Sequence, residues 1–247
     1  MKELDFKILT NEEIAKSTYR MVLSGDASDC GAGQFVNLRV DGAYLRRPIS
    51  VCDSSEDTLT LIYKVVGSGT KQLSRLGAGE TVNILTGLGN GYDTSKSGDR
   101  PLLLGGGVGV PPLYKLARKL VAEGKSVSVI LGFNSKSEMF YEREFAALGA
   151  RVTVCTADGS YGVQGFVTSA IPAEGEYTYF YTCGPEPMLR AVCLATATSG
   201  QLSFEERMGC GFGVCMGCSC ETLTGYKRIC RDGPVMEKEE IKWQTSK

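Results

Sequence analysis

The sequence predicts a multidomain chain of mixed α+β and α/β class, with a small antiparallel β-barrel, a doubly wound α/β domain and a short cysteine-rich segment. Three observations support this division. Short strand patterns separated by turns fill residues 1–97, a strand, a glycine loop and a helix open residues 98–205, and five of the ten cysteines fall within residues 206–247. A chain of 247 residues is long enough for two domains and an appendage.

The first part of the chain reads as a run of short strands. Their lengths and compositions, bounded by turn residues, predict strands at residues 19–23, 34–40, 58–66 and 81–85. In the second of these, Val36, Leu38 and Val40 alternate with polar residues, as a strand with one buried face requires. Asn37 and Arg39 are therefore expected to face outward. Evenly spaced short strands of this kind are typical of a small antiparallel barrel.

The second part begins with the pattern of a βαβ unit. Residues 102–104 form a short apolar strand, residues 105–109 form a glycine turn, and Pro111 and Pro112 suit the first turn of a helix. Apolar residues then recur on one helical face: Leu113, Leu116, Ala117, Leu120 and Val121. Gly124 ends this helix, and further strands are predicted at residues 127–131, 152–155 and 177–182. Alternating strands and helices predict a doubly wound domain.

Composition excludes several classes of function. The formal net charge of −1 provides no basic field for nucleic acid or an anionic membrane. The polar residues 1–13 lack the apolar core of a signal peptide, and no apolar run reaches the roughly 18 residues of a membrane span. We therefore expect a cytoplasmic protein that binds neither nucleic acid nor membrane. The absence of histidine excludes a Ser-His-Asp or Cys-His machine and a His-ligated metal, so we assign no catalytic residue and expect cofactors to supply the chemistry.

The third part carries a dense cysteine motif. Cys210-x4-Cys215-x2-Cys218, followed by Cys230, has the opening spacing of a plant-type [2Fe-2S] ferredoxin loop. Glycines between the cysteines permit the tight backbone curl that four thiolates around one compact cluster require. A structural zinc site is the alternative, although zinc sites more often use two separated Cys-x2-Cys pairs. Cys220 is a fifth cysteine, and the residues alone leave it open in place of Cys218.

Two glycine turns at predicted strand ends suit a nucleotide. Bare glycines before a helix N-terminus let a pyrophosphate approach backbone N–H groups, and this chain has Gly105, Gly106, Gly107, Val108 and Gly109 at that place. A second turn follows the strand at residues 177–182, at a sheet edge where ligands bind, and consists of Cys183, Gly184 and Pro185. The alternative for the first loop is a structural turn, because Val110 holds the last glycine position of a G-x-G-x-x-G pattern.

The barrel part contains residues suited to a second phosphate-bearing ligand. They are Arg47, Pro48, Ile49, Ser50, Ile62, Tyr63, Lys64, Gly69 and Thr70. Arg47 offers a guanidinium fork and Ser50 a hydroxyl three residues later, while the backbone between them can line a ring. A short helix predicted from Gly67 to Leu76 presents a second place for an anion. The alternative is an ordinary charged strand edge followed by a tight turn.

Taken together, these motifs resemble the ferredoxin-reductase superfamily, and within it the family of electron-transfer subunits of NAD-dependent, type B dihydroorotate dehydrogenases. The resemblance runs nearly end to end, and its most specific part is the cysteine segment. It rests on Arg47-Pro48-Ile49-Ser50, Gly67-x-Gly69-Thr70, Leu88-Gly89-Asn90-Gly91, Gly105-Gly106-Gly107-Val108-Gly109-Val110-Pro111-Pro112, Cys183-Gly184-Pro185, Met188, and Glu206-Arg207-Met208-Gly209-Cys210 through Cys230-x-Asp232-Gly233-Pro234-Val235. One departure is Met236, where the family pattern has an aromatic residue.

The resemblance implies three cofactors and a place for each. It places FAD against Arg47 to Ser50, Ile62 to Lys64, Gly69 and Thr70, places NAD at the Gly105 loop and the Cys183 turn, and gives the [2Fe-2S] cluster to Cys210, Cys215, Cys218 and Cys230. The implied domains are an FAD-binding barrel at 1–97, an NAD-binding α/β domain at 98–205 and a cluster domain at 206–247.

Three carriers on one chain impose an order of electron transfer. NAD exchanges two electrons as hydride and the cluster exchanges one at a time, so the flavin, which does both, must lie between them. The resemblance implies that the electrons come from dihydroorotate oxidation on a separate FMN-containing catalytic subunit, in a heterotetramer with two copies of each chain that serves pyrimidine biosynthesis. Two alternatives stay open: an NAD(P)H-ferredoxin oxidoreductase or hydrogenase-linked subunit, and a non-catalytic redox sensor.

Overall fold

The barrel domain is formed by six antiparallel strands and one short helix. The structure is a computed structural model that describes residues 1–243. The elements of this part are β1 (Lys2–Ala15), β2 (Thr18–Ser24), β3 (Phe35–Leu38), β4 (Arg47–Ser54), β5 (Thr58–Lys64), α1 (Ser68–Leu73) and β6 (Thr81–Leu88). The strands close in the order β1-β2-β5-β4-β3-β6. The predicted antiparallel barrel is therefore confirmed.

Two barrel strands and one side chain differ from the pattern-based expectation. The long strand β1 buries only Phe6 and Ile8 completely, and its other apolar residues are partly buried or exposed among charged ones, so its sequence does not stand out as a strand. Strand β4 begins at Arg47, and its charged first residue interrupts the apolar pattern by which a strand would be recognised. Asn37 was expected to face solvent, yet it is only 1% exposed. It does face away from the barrel interior, but the C-terminal segment covers that outer face.

The α/β domain is a seven-stranded sheet with helices on both sides. Its elements are β7 (Pro101–Gly106), α2 (Pro111–Ala122), β8 (Ser128–Phe133), α3 (Glu142–Ala147), β9 (Arg151–Thr156), β10 (Val163–Gln164), β11 (Tyr179–Cys183), α4 (Glu186–Ala195) and β12 (Gly200–Ser203). A last strand, β15 (Val235–Glu237), comes from the C-terminal segment. The order is β10-β9-β8-β7-β11-β12-β15, and only the β12–β15 pair is antiparallel.

The central strand β7 divides its side chains between two cores. Leu103 packs in the core that holds Leu113 and Leu116 of α2. Leu102 and Leu104 lie in the core on the opposite side of the sheet, together with residues of α4. This division follows from the alternation of side chains along a strand and confirms the doubly wound architecture. No helix within residues 1–243 has the length and apolar character that crossing a membrane would need.

The C-terminal segment is attached to both domains. It contains β13 (Ser219–Thr222), β14 (Gly225–Arg228) and α5 (Ile229–Asp232). Its small core joins Phe35 and Leu88 of the barrel to Cys218, Ile229, Cys230 and Met236. Met236, the departure from the family pattern, is 3% exposed and fills this core. The domain boundaries themselves stay predictions, and residues 244–247 of the predicted cluster domain lie outside the described part of the chain.

Candidate functional site

One large cleft runs between the barrel and the α/β domain. Its volume is about 1980 Å³, and it extends from β4 and β5, past the carboxyl ends of β7, β8 and β11, to the C-terminal segment. All the predicted FAD- and NAD-binding residues except Gly105 line it: Arg47, Pro48, Ile49, Ser50, Ile62, Tyr63, Lys64, Gly69, Thr70, Gly106, Gly107, Val108, Gly109, Cys183, Gly184 and Pro185. Gly105 lies beneath the loop, where an added Cβ would be 3.0 Å from Val110 Cα.

The barrel wall of the cleft holds Arg47 against the start of α1. A Cβ on Gly69 would overlap Arg47 Nε, so any larger residue at this position would displace the guanidinium from its present place across the start of the helix. Thr70 Oγ1 accepts hydrogen bonds from the backbone N–H groups of Val66 and Gly67, at 3.0 and 3.2 Å, which closes the preceding turn. A guanidinium held in a cradle that a side chain would fill suits the diphosphate of a dinucleotide such as FAD.

The opposite wall is built from the two predicted glycine turns, which pack against each other. A Cβ on Gly109 would overlap the carbonyl oxygen of Cys183, and a Cβ on Gly184 would be 2.7 Å from Met188 Cε. The first turn leads directly into the 12-residue helix α2. Its bare backbone therefore lies at a helix N-terminus and at the carboxyl edge of the sheet, which is the place where open α/β sheets bind nucleotides.

Replacing Gly109 with alanine is expected to weaken NADH binding about tenfold or more. The methyl group has no space between the two turns, so the loop must shift from the position in which its backbone faces the nucleotide, and a loss of about 1.4 kcal/mol in binding free energy corresponds to a factor of ten in affinity. The KM for NADH with an artificial electron acceptor measures the effect. Gly77→Ala is the matched control, because its methyl would lie 3.6 Å from Glu80 Oε2, an ordinary contact. An unchanged KM for Gly109→Ala would show that this loop does not bind the nucleotide.

The predicted cluster ligands come together in two pairs. Backbone N–H groups of Phe212, Val214 and Cys215 point at Cys210 Sγ over distances of 3.3–3.5 Å. The N–H of Cys210 in turn points at Cys215 Sγ over 3.4 Å. Cys218 and Cys230 form the second pair, since the N–H of Cys230 lies 3.4 Å from Cys218 Sγ. The loop thus supplies both thiols and N–H donors to the same place, as a bound cluster requires.

The pairwise arrangement suits two metal ions better than one. No three His, Cys, Asp or Glu side chains among residues 1–243 surround a common point as a single ion would need. A [2Fe-2S] cluster takes two thiolates on each iron, and the Cys210–Cys215 and Cys218–Cys230 pairs match that division. Cys220 lies on β13 and lines the large cleft. The two pairs are the division of ligands that the [2Fe-2S] motif predicts.

The thiols differ in their readiness to ionise. Burial opposes ionisation of Cys210, but the N–H groups of Cys215 and Phe212 outweigh it and lower the pKa of that thiol to about 6. Cys210 is therefore largely thiolate at pH 7, the form that binds a metal. Burial and the neighbouring Cys218 raise the pKa of Cys230 to about 12. Iron would offset this cost, because a bound metal stabilises the thiolate.

Several cleft residues were not predicted from the sequence. Phe133 ends β8 and Asn134 follows it, and residues 204–208 follow β12, whose last residue Ser203 also lines the cleft. All lie at the carboxyl edge of the parallel strands, which is the signal that could have identified them. The four-residue strand β12 is too short to recognise by pattern. Asn37, beside the cysteine loop, was also missed because it was expected to face solvent.

Comparison with known proteins bears out the predicted nucleotide and cluster parts. The model of the oxidoreductase NAD-binding domain matches residues 103–194. The model of the iron-sulfur cluster binding domain of dihydroorotate dehydrogenase B matches residues 205–242. A solved structure of an NADH-dependent reduced ferredoxin-NADP oxidoreductase, studied for flavin-based electron bifurcation, superimposes with a TM-score of 0.88 at 28% identity, over 96% of this chain and 90% of that one.

Two relatives extend the similarity over nearly the whole sequence. The dihydroorotate dehydrogenase B (NAD(+)) electron transfer subunit of Geobacillus sp. (strain WCH70) is 43% identical, over 98% of this chain and 99% of its own length. The protein of the same name from Fusobacterium nucleatum is also 43% identical, with the same two coverages. Identity at this level across all three parts confirms the resemblance drawn from the motifs. The chain belongs to the family of dihydroorotate dehydrogenase B electron transfer subunits, which are oxidoreductase components.

Proposed function

We propose that this chain passes electrons from dihydroorotate oxidation, performed on a separate FMN-containing subunit, through a [2Fe-2S] cluster and FAD to NAD⁺. The observation that supports this most is the continuity of the site. The cleft that holds Arg47 on one wall and Gly109 on the other continues to the cysteine segment. Cys218 and Cys230 also share a core with Phe35 of the barrel. A path for electrons therefore stays within one packed unit.

Each group of residues has a distinct task in this proposal. Arg47 binds the FAD diphosphate, and residues 48–50 and 62–64 line the barrel side of the cleft where the flavin ring is held. The Gly109 loop and the Cys183 turn receive NAD. When bound, the flavin supplies the exchange between two-electron and one-electron steps. The chain itself binds and orients the cofactors and excludes water from them, and no side chain is needed as an acid or a base.

The partner subunit is proposed to contact the cysteine segment. Five large apolar side chains are exposed within the 15-residue stretch 212–226: Phe212 (40%), Val214 (74%), Met216 (55%), Leu223 (66%) and Tyr226 (75%). Scattered exposed apolar residues are ordinary, but a concentration of them marks an interaction surface. We propose that residues 206–243 dock on the FMN-containing catalytic subunit, in a cytoplasmic heterotetramer of two copies of each chain. The cluster then lies between the two flavins.

The alternatives are less well supported. A ferredoxin-linked role has one observation in its favour, the structural similarity to the NADH-dependent reduced ferredoxin-NADP oxidoreductase at 28% identity. The dihydroorotate-linked relatives are 43% identical over nearly the full length. A non-catalytic sensor is disfavoured because the matching families are oxidoreductases.

The isolated chain is expected to oxidise NADH with artificial acceptors but not to oxidise dihydroorotate. The cleft serves FAD and NAD, whereas dihydroorotate oxidation needs a base and a second flavin site. Adding the FMN-containing catalytic subunit should create dihydroorotate-dependent NAD⁺ reduction, measured as NADH absorbance. The catalytic subunit without this chain is the control and should reduce no NAD⁺. Dihydroorotate oxidation by the lone chain would contradict this division of labour, and activity with reduced ferredoxin in place of dihydroorotate would favour the ferredoxin-linked role.

A further inference from the structure

Asn37 is a buried polar residue to which neither the cleft nor the cysteine motif assigns a task. It lies on β3 and is 1% exposed. Its Oδ1 atom is buried and accepts no hydrogen bond within the described residues. A buried acceptor without a donor costs free energy that an apolar side chain of the same shape would not cost. Thr10 Oγ1 and Arg20 Nε of the same barrel are also buried without a hydrogen-bond partner among the described residues, so what distinguishes Asn37 is its position against the cysteine loop.

The Asn37 side chain packs on the first cysteine of the cluster loop. Its Nδ2 is 3.5 Å from the carbonyl oxygen of Cys210, at the outer limit of a hydrogen bond. Gly211 approaches so closely that an added Cβ would be 2.5 Å from Asn37 Nδ2, and its φ of +80° favours glycine in any case. The peptide between Cys210 and Gly211 therefore rests directly on the asparagine amide.

The backbone of Asn37 belongs to the barrel sheet, next to the proposed flavin wall. Asn37 pairs with Pro48 in the β3–β4 register, one position from Arg47. Its carbonyl accepts a hydrogen bond from Arg46 Nη1 at 3.3 Å. Phe35, two positions away on the same face of β3, packs in the core that contains Cys218 and Cys230. One face of a single strand thus contacts the Cys210–Gly211 peptide and the core that contains Cys218 and Cys230.

The far side of the cysteine loop is held from within the C-terminal segment. Arg228 Nη1 donates to the Gly213 carbonyl at 2.9 Å and is itself paired with Asp232. From the barrel, Asn90 reaches this side: its Nδ2 donates to the Asp232 carbonyl at 3.1 Å, and its backbone N–H donates to the Gly233 carbonyl. Asn37 is therefore the side chain that ties a ligand cysteine's own peptide to the strand beside the flavin wall.

We propose that Asn37 is a positioning residue for the cluster. It fixes the Cys210–Gly211 peptide against β3, and so keeps the N–H groups of Phe212, Val214 and Cys215 directed at Cys210 Sγ. N–H groups on a ligand sulfur favour the reduced cluster, which carries one more negative charge. Asn37 therefore raises the reduction potential and maintains the distance between cluster and flavin. This inference rests on the proposed function, because it presupposes that both groups are bound.

Asn37→Leu in the full chain carrying FAD and cluster tests the proposal. Leucine keeps the size and removes both the amide donor and the unpaired acceptor, so the barrel should fold. We expect iron loss to a chelator to become about tenfold faster, because outer-sphere partners of metal ligands have effects of this size. At a fixed applied potential, the ratio of reduced to oxidised cluster should fall about threefold to tenfold. The EPR spectrum of the reduced cluster should shift, while FAD content and flavin reduction by NADH stay unchanged.

The control variant is Thr86→Val, which also removes a buried polar group from the barrel. Thr86 is 0% exposed and donates to Asp29 at 3.2 Å, away from the cysteine loop. Its cluster should behave as in the wild type. If Asn37→Leu is not recovered folded, Asn37→Ser removes the amide without placing an apolar side chain there and gives the same readouts. A cluster with unchanged lability, potential and EPR spectrum in the variant would overturn this inference alone. Absence of iron and sulfide from the wild-type chain would overturn the proposed function and this inference with it.

Discussion

Replacing Cys210, Cys215, Cys218 or Cys230 singly with serine is expected to remove the [2Fe-2S] cluster or to leave it badly destabilised. Each cysteine belongs to one of two pairs, so losing one thiolate leaves an iron with a single protein ligand. Cys218 and Cys230 are only 2% exposed each, so water could not easily reach the iron to replace either thiolate. Iron and acid-labile sulfide analysis, visible absorption and EPR measure the loss. The wild-type protein should contain close to two iron atoms and two acid-labile sulfides per chain.

Cys220→Ser is the matched control for this series and should retain the cluster. Cys220 lies on β13 and lines the large cleft, whereas Cys218 Sγ lies against the N–H of Cys230. A result in which Cys220→Ser loses the cluster and Cys218→Ser keeps it would show that the ligand assignment is wrong. Tightly bound zinc without sulfide in the wild-type chain would remove the cluster hypothesis altogether.

Arg47→Ala is expected to release most of the FAD during purification. The guanidinium is the cation that the Gly69 cradle holds at the barrel wall, and a charge-assisted hydrogen bond contributes about 1.5–3 kcal/mol. A loss of about 1.4 kcal/mol weakens affinity tenfold, so a bidentate contact is worth tenfold or considerably more. Flavin released by heat from the purified protein, and the dissociation constant for added FAD, measure the change.

Arg75→Ala is the control for charge alone, because Arg75 is an exposed arginine just beyond α1 and does not line the cleft. It should bind FAD as the wild type does. Equal FAD content and affinity in Arg47→Ala and Arg75→Ala would place the diphosphate elsewhere in the cleft. Gly69→Ala should reproduce the Arg47→Ala defect in part, since the added methyl displaces the guanidinium.

The chemistry-bearing motifs were recognisable because their signals are local. The Cys210-x4-Cys215-x2-Cys218 spacing, the glycine turn before α2 and the alternating apolar residues of β3 each depend on neighbours within a dozen positions. Such patterns can be recognised in the sequence because they depend only on local backbone conformation and on how far neighbouring side chains extend. The strand β1 escaped this kind of recognition, since only Phe6 and Ile8 of its 14 residues are completely buried.

What the sequence by itself determined is therefore the fold class, the presence of two glycine turns at strand ends and the spacing of the cysteine motif. Only the tertiary structure decided how these parts meet. It grouped the thiols as Cys210–Cys215 and Cys218–Cys230, and it added β15 to the sheet of the α/β domain. It also buried Asn37, whose surroundings come from a segment more than 170 positions away. Burial and pairing depend on which surfaces pack together, and that information is spread over the whole chain rather than held in any local pattern.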